Sequence, residues 1–353
     1  MNLESLGWNA RFEAAWNSSE RKGVRPGRIV TQHREVWEIA GEFGACDAEA
    51  SGKLRLGAES GGVWPTVGDW VALRGKVGAG ILIDEVLPRH THIERKVPGK
   101  RNASQVLAAN VDTVFLVTGL DGDFNPRRVE RFLAQICESG AAPVVLLNKA
   151  DVRKEADKIA EGLRRYLVGV DVHWISAKTG AGLDVLETYW AVGKTVVLLG
   201  SSGVGKSTLV NRLLRSERQS TKAVRESDSR GRHTTTAREL LFLASGAMVI
   251  DTPGLREWQL WEADQGLEHV FGEVEGLAEG CRFRDCRHAG EPGCAVRRAL
   301  EAGGLDPGRL ESYHKLQREQ EFRRRKTDRK AVTAPRGAWV HSPFRLPGRW
   351  AQM

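Results

Sequence analysis

Apolar and polar positions divide the chain into stretches of different texture. At 3–19, Leu3, Leu6, Phe12 and Trp16 predict a short amphipathic helix packed on the next segment of the chain. From Val24 to Leu87 the runs shorten. RIV, EVWEI, GKLRL, DWVAL and ILIDEVL are β-rich, are separated by Gly, Pro and Asp turns, and leave no room for a long helix. About five strands in some 65 residues predict a small closed barrel, with an OB-type barrel ahead of a sandwich or an SH3-like barrel.

Residues 88–105 (PRHTHIERKVPGKRNASQ) carry Arg89, Arg95, Lys96, Lys100 and Arg101 against Glu94 alone, and read as a basic linker. Beyond them, apolar runs at 111–118, 143–148, 171–176, 195–200, 239–244 and 247–253 predict strands. Helical periodicity at 126–138, 154–167 and 207–215 falls between them, the pattern of a parallel sheet covered by helices. From about 265 onward the chain is helical and charged. It ends in KLQREQEFRRRKTDRK and an irregular stretch bearing Pro and Arg. There are no internal repeats.

Composition narrows the class. With 353 residues the chain is long enough for two or three domains, and 41% hydrophobic with 28% charged residues excludes a wholly disordered chain. No run reaches the roughly 18 apolar residues of a membrane span, and MNLESLGWNARFEAAW lacks the basic-then-apolar order of a secretory signal. A cytosolic protein without membrane contact is expected. The net charge of +8 favours a polyanionic partner only weakly. Cys281, Cys286 and Cys294 cluster while Cys46 and Cys137 stand alone, which favours a metal over disulfides.

Chemistry enters at the strand ends. Gly200, Ser201, Ser202, Gly203, Val204, Gly205, Lys206, Ser207 and Thr208 continue the strand TVVLLG and open a helix, matching G-x4-G-K-[ST]. Such glycines let backbone N–H groups curl round phosphate oxygens at a helix N-terminus. Lys206 is expected on β and γ oxygens and Ser207 on Mg²⁺. The loop alone leaves ATP and GTP open. Asn148, Lys149, Ala150 and Asp151 decide for GTP: an Asp carboxylate accepts both guanine N1–H and N2–H2, a donor pair adenine lacks. The Asn148 side chain reaches N7 or ties neighbouring loops, and the Lys149 stem lies over the base. Ser176, Ala177 and Lys178 end another strand, where a backbone N–H meets guanine O6. Asp251-Thr252-Pro253-Gly254 ends a third, placing Asp251 on Mg²⁺ through water and Gly254 near the phosphates.

The order of these motifs is unusual. NKAD and SAK precede the phosphate loop and DTPG comes last, whereas the common GTPase order begins with the phosphate loop. That is a circular permutation, with the former termini joined near AVGKT.

With VGDWV (67–71), AANVD (108–112), NKAD, GSSGVGKST, GRHTTT (231–236), DTPG and the cysteine cluster, the chain resembles the bacterial ribosome small-subunit-dependent GTPase A (RsgA/YjeQ) family over nearly its whole length. The resemblance implies a multidomain protein: an N-terminal OB-fold β-barrel, a central circularly permuted α/β P-loop GTPase domain, and a C-terminal helical zinc-binding domain. It also implies GTP hydrolysis stimulated by the 30S subunit, late in small-subunit maturation. The expected boundaries are an N-terminal helical extension at 1–22, the barrel at 23–92, the GTPase domain at 93–264 and the zinc-binding and basic C-terminal region at 265–353.

The polar segment 221–240 is expected to be switch I, with Thr235 (or its neighbour Thr236) on Mg²⁺. Leu255 stands where Ras-type enzymes place a water-orienting Gln, so hydrolysis without a partner is expected to be slow. His233 is the candidate catalytic residue, a role the resemblance supports. Cys281, Cys286, His288 and Cys294 supply a closed four-ligand set for one structural Zn²⁺. Barrel, linker, knuckle arginines (Arg282, Arg284, Arg287) and basic tail, in a chain that resembles a ribosome factor, together favour rRNA; the resemblance implies 16S rRNA on the 30S subunit as partner, beside GTP and GDP, for a monomeric factor. Two rivals are another P-loop NTPase and an RNA-binding scaffold with a structural nucleotide.

Overall fold

Five strands close into a barrel near the N-terminal end of the chain, and an open sheet continues from its first strand. The computed structural model describes residues 2–76, 80–96, 104–121, 124–167, 169–220, 238–251 and 270–318. The barrel comprises β1 (Val24–His33), β2 (Val36–Gly41), β3 (Gly44–Ala50), β4 (Trp70–Gly75) and β5 (Ile81–Val86). Their order is β1-β2-β3-β5-β4, with β4 pairing back onto β1 and β3 parallel to β5. This is an OB-fold barrel. Ile29, Trp37, Ile39, Leu73 and Ile83 are fully buried among its strands.

Two expectations need correction here. The predicted N-terminal helix is broken at Gly7, leaving a 3-10 turn (Glu4–Leu6) and then α1 (Ala10–Asn17), which the Asn9 side chain caps. GKLRL is not a strand but the start of α2 (Gly52–Glu59), because the Ser51 hydroxyl accepts the Leu54 N–H and nucleates a helical turn. The third strand is instead the polar GACDAEA, held by β2 on one side and β5 on the other.

The basic linker also departs from expectation. His92–Lys96 (β6) and Ser104–Ala109 (β7) pair antiparallel. Arg89 is drawn inward, 2.6 Å from the buried Asp69 carboxylate and 2.8 Å from the Trp64 carbonyl. Lys100 and Arg101 lie outside the described residues.

The open sheet runs β10 (Asp171–Trp174), β9 (Ala142–Asn148), β8 (Thr113–Gly119), β11 (Thr195–Leu199), β13 (Met248–Asp251), β12 (Arg238–Phe242). All are parallel except β12, which is antiparallel to β13. Near-continuous Val and Leu runs suit strands covered on both faces. The covering helices include α3 (Pro126–Glu138), α4 (Ala156–Tyr166) and α5 (Lys206–Ser220). Helix α3 starts where sequence rules place it, with Pro at its first turn and an Asn125 cap, and buries Val129, Phe132, Leu133 and Ile136. Three further helices complete the described chain: α6 (Gly272–Ala278), α7 (Ala295–Glu301) and one at 307–318. Among the described residues no helix is long and apolar enough to cross a membrane.

Barrel and open sheet share β1, which pairs with β12 at Thr31↔Glu239 and Gln32↔Arg238. The VGDWV and AANVD motifs build this joint. Asn110 donates to the Gly68 carbonyl at 3.1 Å and accepts the His90 N–H, while Asp112 accepts the Thr195 N–H at 2.9 Å. At the centre the buried Arg28 guanidinium donates to Gly68 O, Leu6 O, Asn110 O and, at 2.8 Å, Thr195 Oγ1. Burial pushes its pKa down to about 10, so it stays charged at neutral pH. Arg28→Leu leaves those acceptors unpaired and is expected to cost about 2–4 kcal/mol, read as a lower urea midpoint.

Candidate functional site

Open α/β sheets bind ligands where the strand order reverses, outside the carboxyl ends of the strands. Here β8, β9 and β10 succeed one another in one direction, and β11 lies on the other side of β8. The crevice is therefore expected between the ends of β8 and β11, and the predicted motifs stand at the ends of β9, β10, β11 and β13.

The loop after β11 is shaped by glycine. Gly200 has φ 141°, and a Cβ there would lie 2.0 Å from the Val117 carbonyl oxygen. The Lys206 ammonium folds back over the loop, donating to Gly200 O at 2.6 Å and Ser201 O at 2.8 Å. Val204 and Lys206 are buried, whereas Ser202, Gly203, Ser207 and Thr208 are exposed. The loop thus presents its outer side to solvent at the start of α5, as phosphate binding requires.

Asn148 ends β9 and is buried. Its Nδ2 donates to Val204 O at 2.8 Å, and its Oδ1 accepts the Ala177 N–H at 2.9 Å. One carboxamide thereby joins three loops. A Cβ at Gly205 would sit 2.3 Å from Asn148 Nδ2, so glycine is required there too. Lys149 takes a left-handed backbone (φ 64°), and its ammonium pairs with Asp121. Ala150 donates its N–H to Ile175 O at 3.1 Å. The Asp151 carboxylate accepts the Ser176 hydroxyl at 2.6 Å, and that bond lowers its pKa below the usual carboxylate range. It is therefore an ionised acceptor at neutral pH.

The structure brings Asn148, Ala150, Asp151, Ser176, Ala177 and the phosphate loop to one sheet edge. Asp251 ends β13 next to β11, on the same edge, by its backbone. The Asp251 side chain, Gly254, Leu255, His233, Thr235 and Thr236 lie outside the described residues. Sequence pattern alone misses two contributors. Arg212 on α5 donates to the carbonyls of Lys178 and Thr179, each at 2.8 Å, and fixes the β10 loop. Asp121, the partner of Lys149, had a signal in its place just after the β8 strand, whereas Arg212 had none.

A second cluster lies in the C-terminal module. The donor atoms of Cys281, Cys286, His288 and Cys294 all lie within 4.8 Å of one another. Cys281 and Cys294 sulfurs are 3.9 Å apart, and the His288 Nδ1 lies 3.6 Å from the first and 3.5 Å from the second. Tetrahedral bonds of thiolate and imidazole length predict separations of about 3.5–3.8 Å, so the donor set fits a metal. Backbone N–H groups of Ala295 and Arg297 donate to the Cys281 and Cys294 sulfurs. Glu291, which no motif marks, accepts the N–H groups of Arg287, Ala289 and Gly290 and holds the loop between ligands. The backbone N–H of Glu291 itself, together with these bonds, pulls its pKa to about 2.

Asn148→Ala removes a donor and an acceptor whose partners stay buried. It is expected to destabilise the chain by about 2–4 kcal/mol, measured by chemical denaturation. Chelation is expected to release one metal ion per chain, counted by elemental analysis, and to abolish the ordered amide resonances of residues 281–294.

Comparison with known proteins agrees with this geometry. A model of the RsgA GTPase family matches residues 86–261. A small ribosomal subunit biogenesis GTPase RsgA of Opitutus terrae is 46% identical over 99% of this chain and 100% of its own length. One of Syntrophotalea carbinolica is 44% identical over 90% of both chains. Among solved structures, YjeQ from Thermotoga maritima is 27% identical and superposes with a TM-score of 0.63, over 84% of this chain and 98% of that one. YloQ, a circularly permuted GTPase, has the same fold, with a TM-score of 0.61 over 86% of this chain and 97% of its own. By both sequence and fold, the chain belongs to the RsgA GTPase family.

Proposed function

We propose that the chain hydrolyses GTP to GDP and phosphate as a maturation factor of the small ribosomal subunit. The observation that carries the reading is the convergence of the β9, β10 and β11 loops on Asn148. Beside it, the Asp151 carboxylate is oriented by Ser176 as a double acceptor for guanine N1–H and N2–H2. Lys149 flanks the base with its stem. The Lys178 backbone N–H faces O6, the Ala177 N–H being held by Asn148 Oδ1. Gly200, Ser201, Ser202, Gly203, Val204, Gly205, Lys206, Ser207 and Thr208 cradle the phosphates, with Gly254 beyond them.

Ser207, Asp251 across a water, and Thr235 are the residues that would hold Mg²⁺; the exposed Ser207 hydroxyl at the start of α5 suits it. When bound, the ion neutralises charge on the phosphate oxygens. Lys206 does the same from the protein side once a nucleotide draws its ammonium off the loop carbonyls. His233 orients or deprotonates the attacking water, a task Leu255 cannot perform at the position after DTPG.

The Cys281, Cys286, His288 and Cys294 set takes Zn²⁺ as a structural ion, since four protein ligands leave no open position. We assign the barrel to 23–92 after an extension at 1–22, the GTPase domain to 93–264 and the metal-bearing region to 265–353. The partner is the 30S subunit through 16S rRNA, met by a monomer in the cytoplasm. Arg282, Arg284 and Arg287 are exposed beside Phe283, a combination that serves phosphate contact and base stacking.

Phosphate release with and without purified small ribosomal subunits tests the reading. A rise of at least about tenfold is expected, lost in His233→Ala with KM for GTP retained. Absence of stimulation points to a scaffold with a structural nucleotide, and equal competition by ATP points to another P-loop NTPase. Asp151→Asn is expected to weaken GTP and favour xanthosine triphosphate, because an amide can donate to the second ring carbonyl that xanthine carries.

A further inference from the structure

Helix α3 stands between the C-terminal module and the phosphate loop, and its first turns touch both. Arg127 and Glu130 lie three residues apart and so share a face. That face meets the helix at 307–318. Arg127 pairs with Glu311 at 2.5 Å on the exposed rim, and Glu130 pairs with Arg309 at 2.9 Å with both side chains at most 6% exposed. Arg309 is fastened within its own module by Glu273, by the Val270 carbonyl and by the Phe271 ring 4.2 Å from its guanidinium. A buried ion pair tolerates little misplacement, because separation leaves a charge without its partner. The position of α3 is thereby fixed to the position of the C-terminal module.

Arg128 lies between these two residues and faces the other way. Its Nη1 donates to Ser201 Oγ at 3.3 Å, and its backbone N–H is held by the Asn125 cap. Ser201 is the residue whose carbonyl also receives the Lys206 ammonium. A shift of Arg128 therefore reaches the cation that is to meet the phosphates through one intervening residue. We propose that Arg128 is a positioning residue for the phosphate loop, and that the Glu130–Arg309 pair sets where it stands. The C-terminal module and the loop then communicate through the first turns of α3. What the loop binds rests on the guanine-nucleotide reading above; the positioning role itself does not.

The experiment measures hydrogen exchange of residues 199–209 in the nucleotide-free full chain, together with the release rate of a fluorescent GDP analogue. Arg128→Ala and Glu130→Leu are each expected to raise both rates about tenfold, the effect of one lost charge-assisted hydrogen bond. Arg128→Lys is expected to recover part of the loss, and exchange in the barrel strands is expected to stay unchanged. The double variant is expected to match the larger single effect, because both act along one route. Unchanged loop exchange in either single variant overturns the proposal, as do logarithmic effects that add in the double variant. If the unaltered protein fails to bind the GDP analogue, the nucleotide reading falls instead, and the exchange data still decide the role of Arg128.

Discussion

The architecture of the candidate site depends on one buried carboxamide. Asn148 donates to the phosphate loop and accepts from the β10 loop at partners 56 and 29 residues away in sequence. Aspartate offers no donor, and serine lacks a second polar atom. Glutamine would need room where Gly205 already makes close contact. These bonds join strand ends, not neighbours in sequence, so they are indifferent to where the chain starts. That indifference is the physical reason a permuted order can keep the site. Parallel strands need only arrive side by side; the loop that joins the former termini does no chemistry.

Permutation has a second consequence at the other side of the sheet. Strand β12 begins at Arg238, two positions after the last threonine of the triplet, and is bonded to β13 on one edge and to barrel strand β1 on the other. The Arg238 side chain reaches Gln32 and the Val106 carbonyl at 3.2 Å each. The barrel is thus part of the same hydrogen-bonded sheet that carries the loops of the candidate site. Rotating the barrel away would break ladder bonds as well as the Arg28 network.

Much of this was legible in the chain. The central strands are apolar and are bounded by Gly, Asp and Pro, so the fold could be read, and the motifs expected to meet phosphate and guanine stand at strand ends. The failures have two causes, one local and one tertiary. GKLRL alternates like a strand, but a single serine hydroxyl one residue earlier nucleates a helix, and GACDAEA becomes a strand only because β2 and β5 flank it. Tertiary pairing overrides local preference there. Arg212, Arg128 and Glu291 act through distances that no one-dimensional pattern encodes.

Net charge overstates the cation that a polyanion could meet. Arg28, Arg89 and Arg309 contribute to the basic excess, yet each is buried or nearly so and bound to acceptors within the chain. None of them is available to a polyanion. Burying a guanidinium costs desolvation that its bonds must offset, so each stabilises less than its bond count suggests, although removing one alone strands its acceptors. What they add is geometry. Each binds several acceptors: Arg28 bonds the N-terminal turn, the barrel and β11; Arg89 holds Trp64 and Asp69 of the loop before β4; and Arg309 bonds α6 to α3. An apolar contact allows sliding, whereas a buried fork with named acceptors does not. Between modules, buried arginine fixes angles, whereas the knuckle arginines Arg282, Arg284 and Arg287 stay exposed.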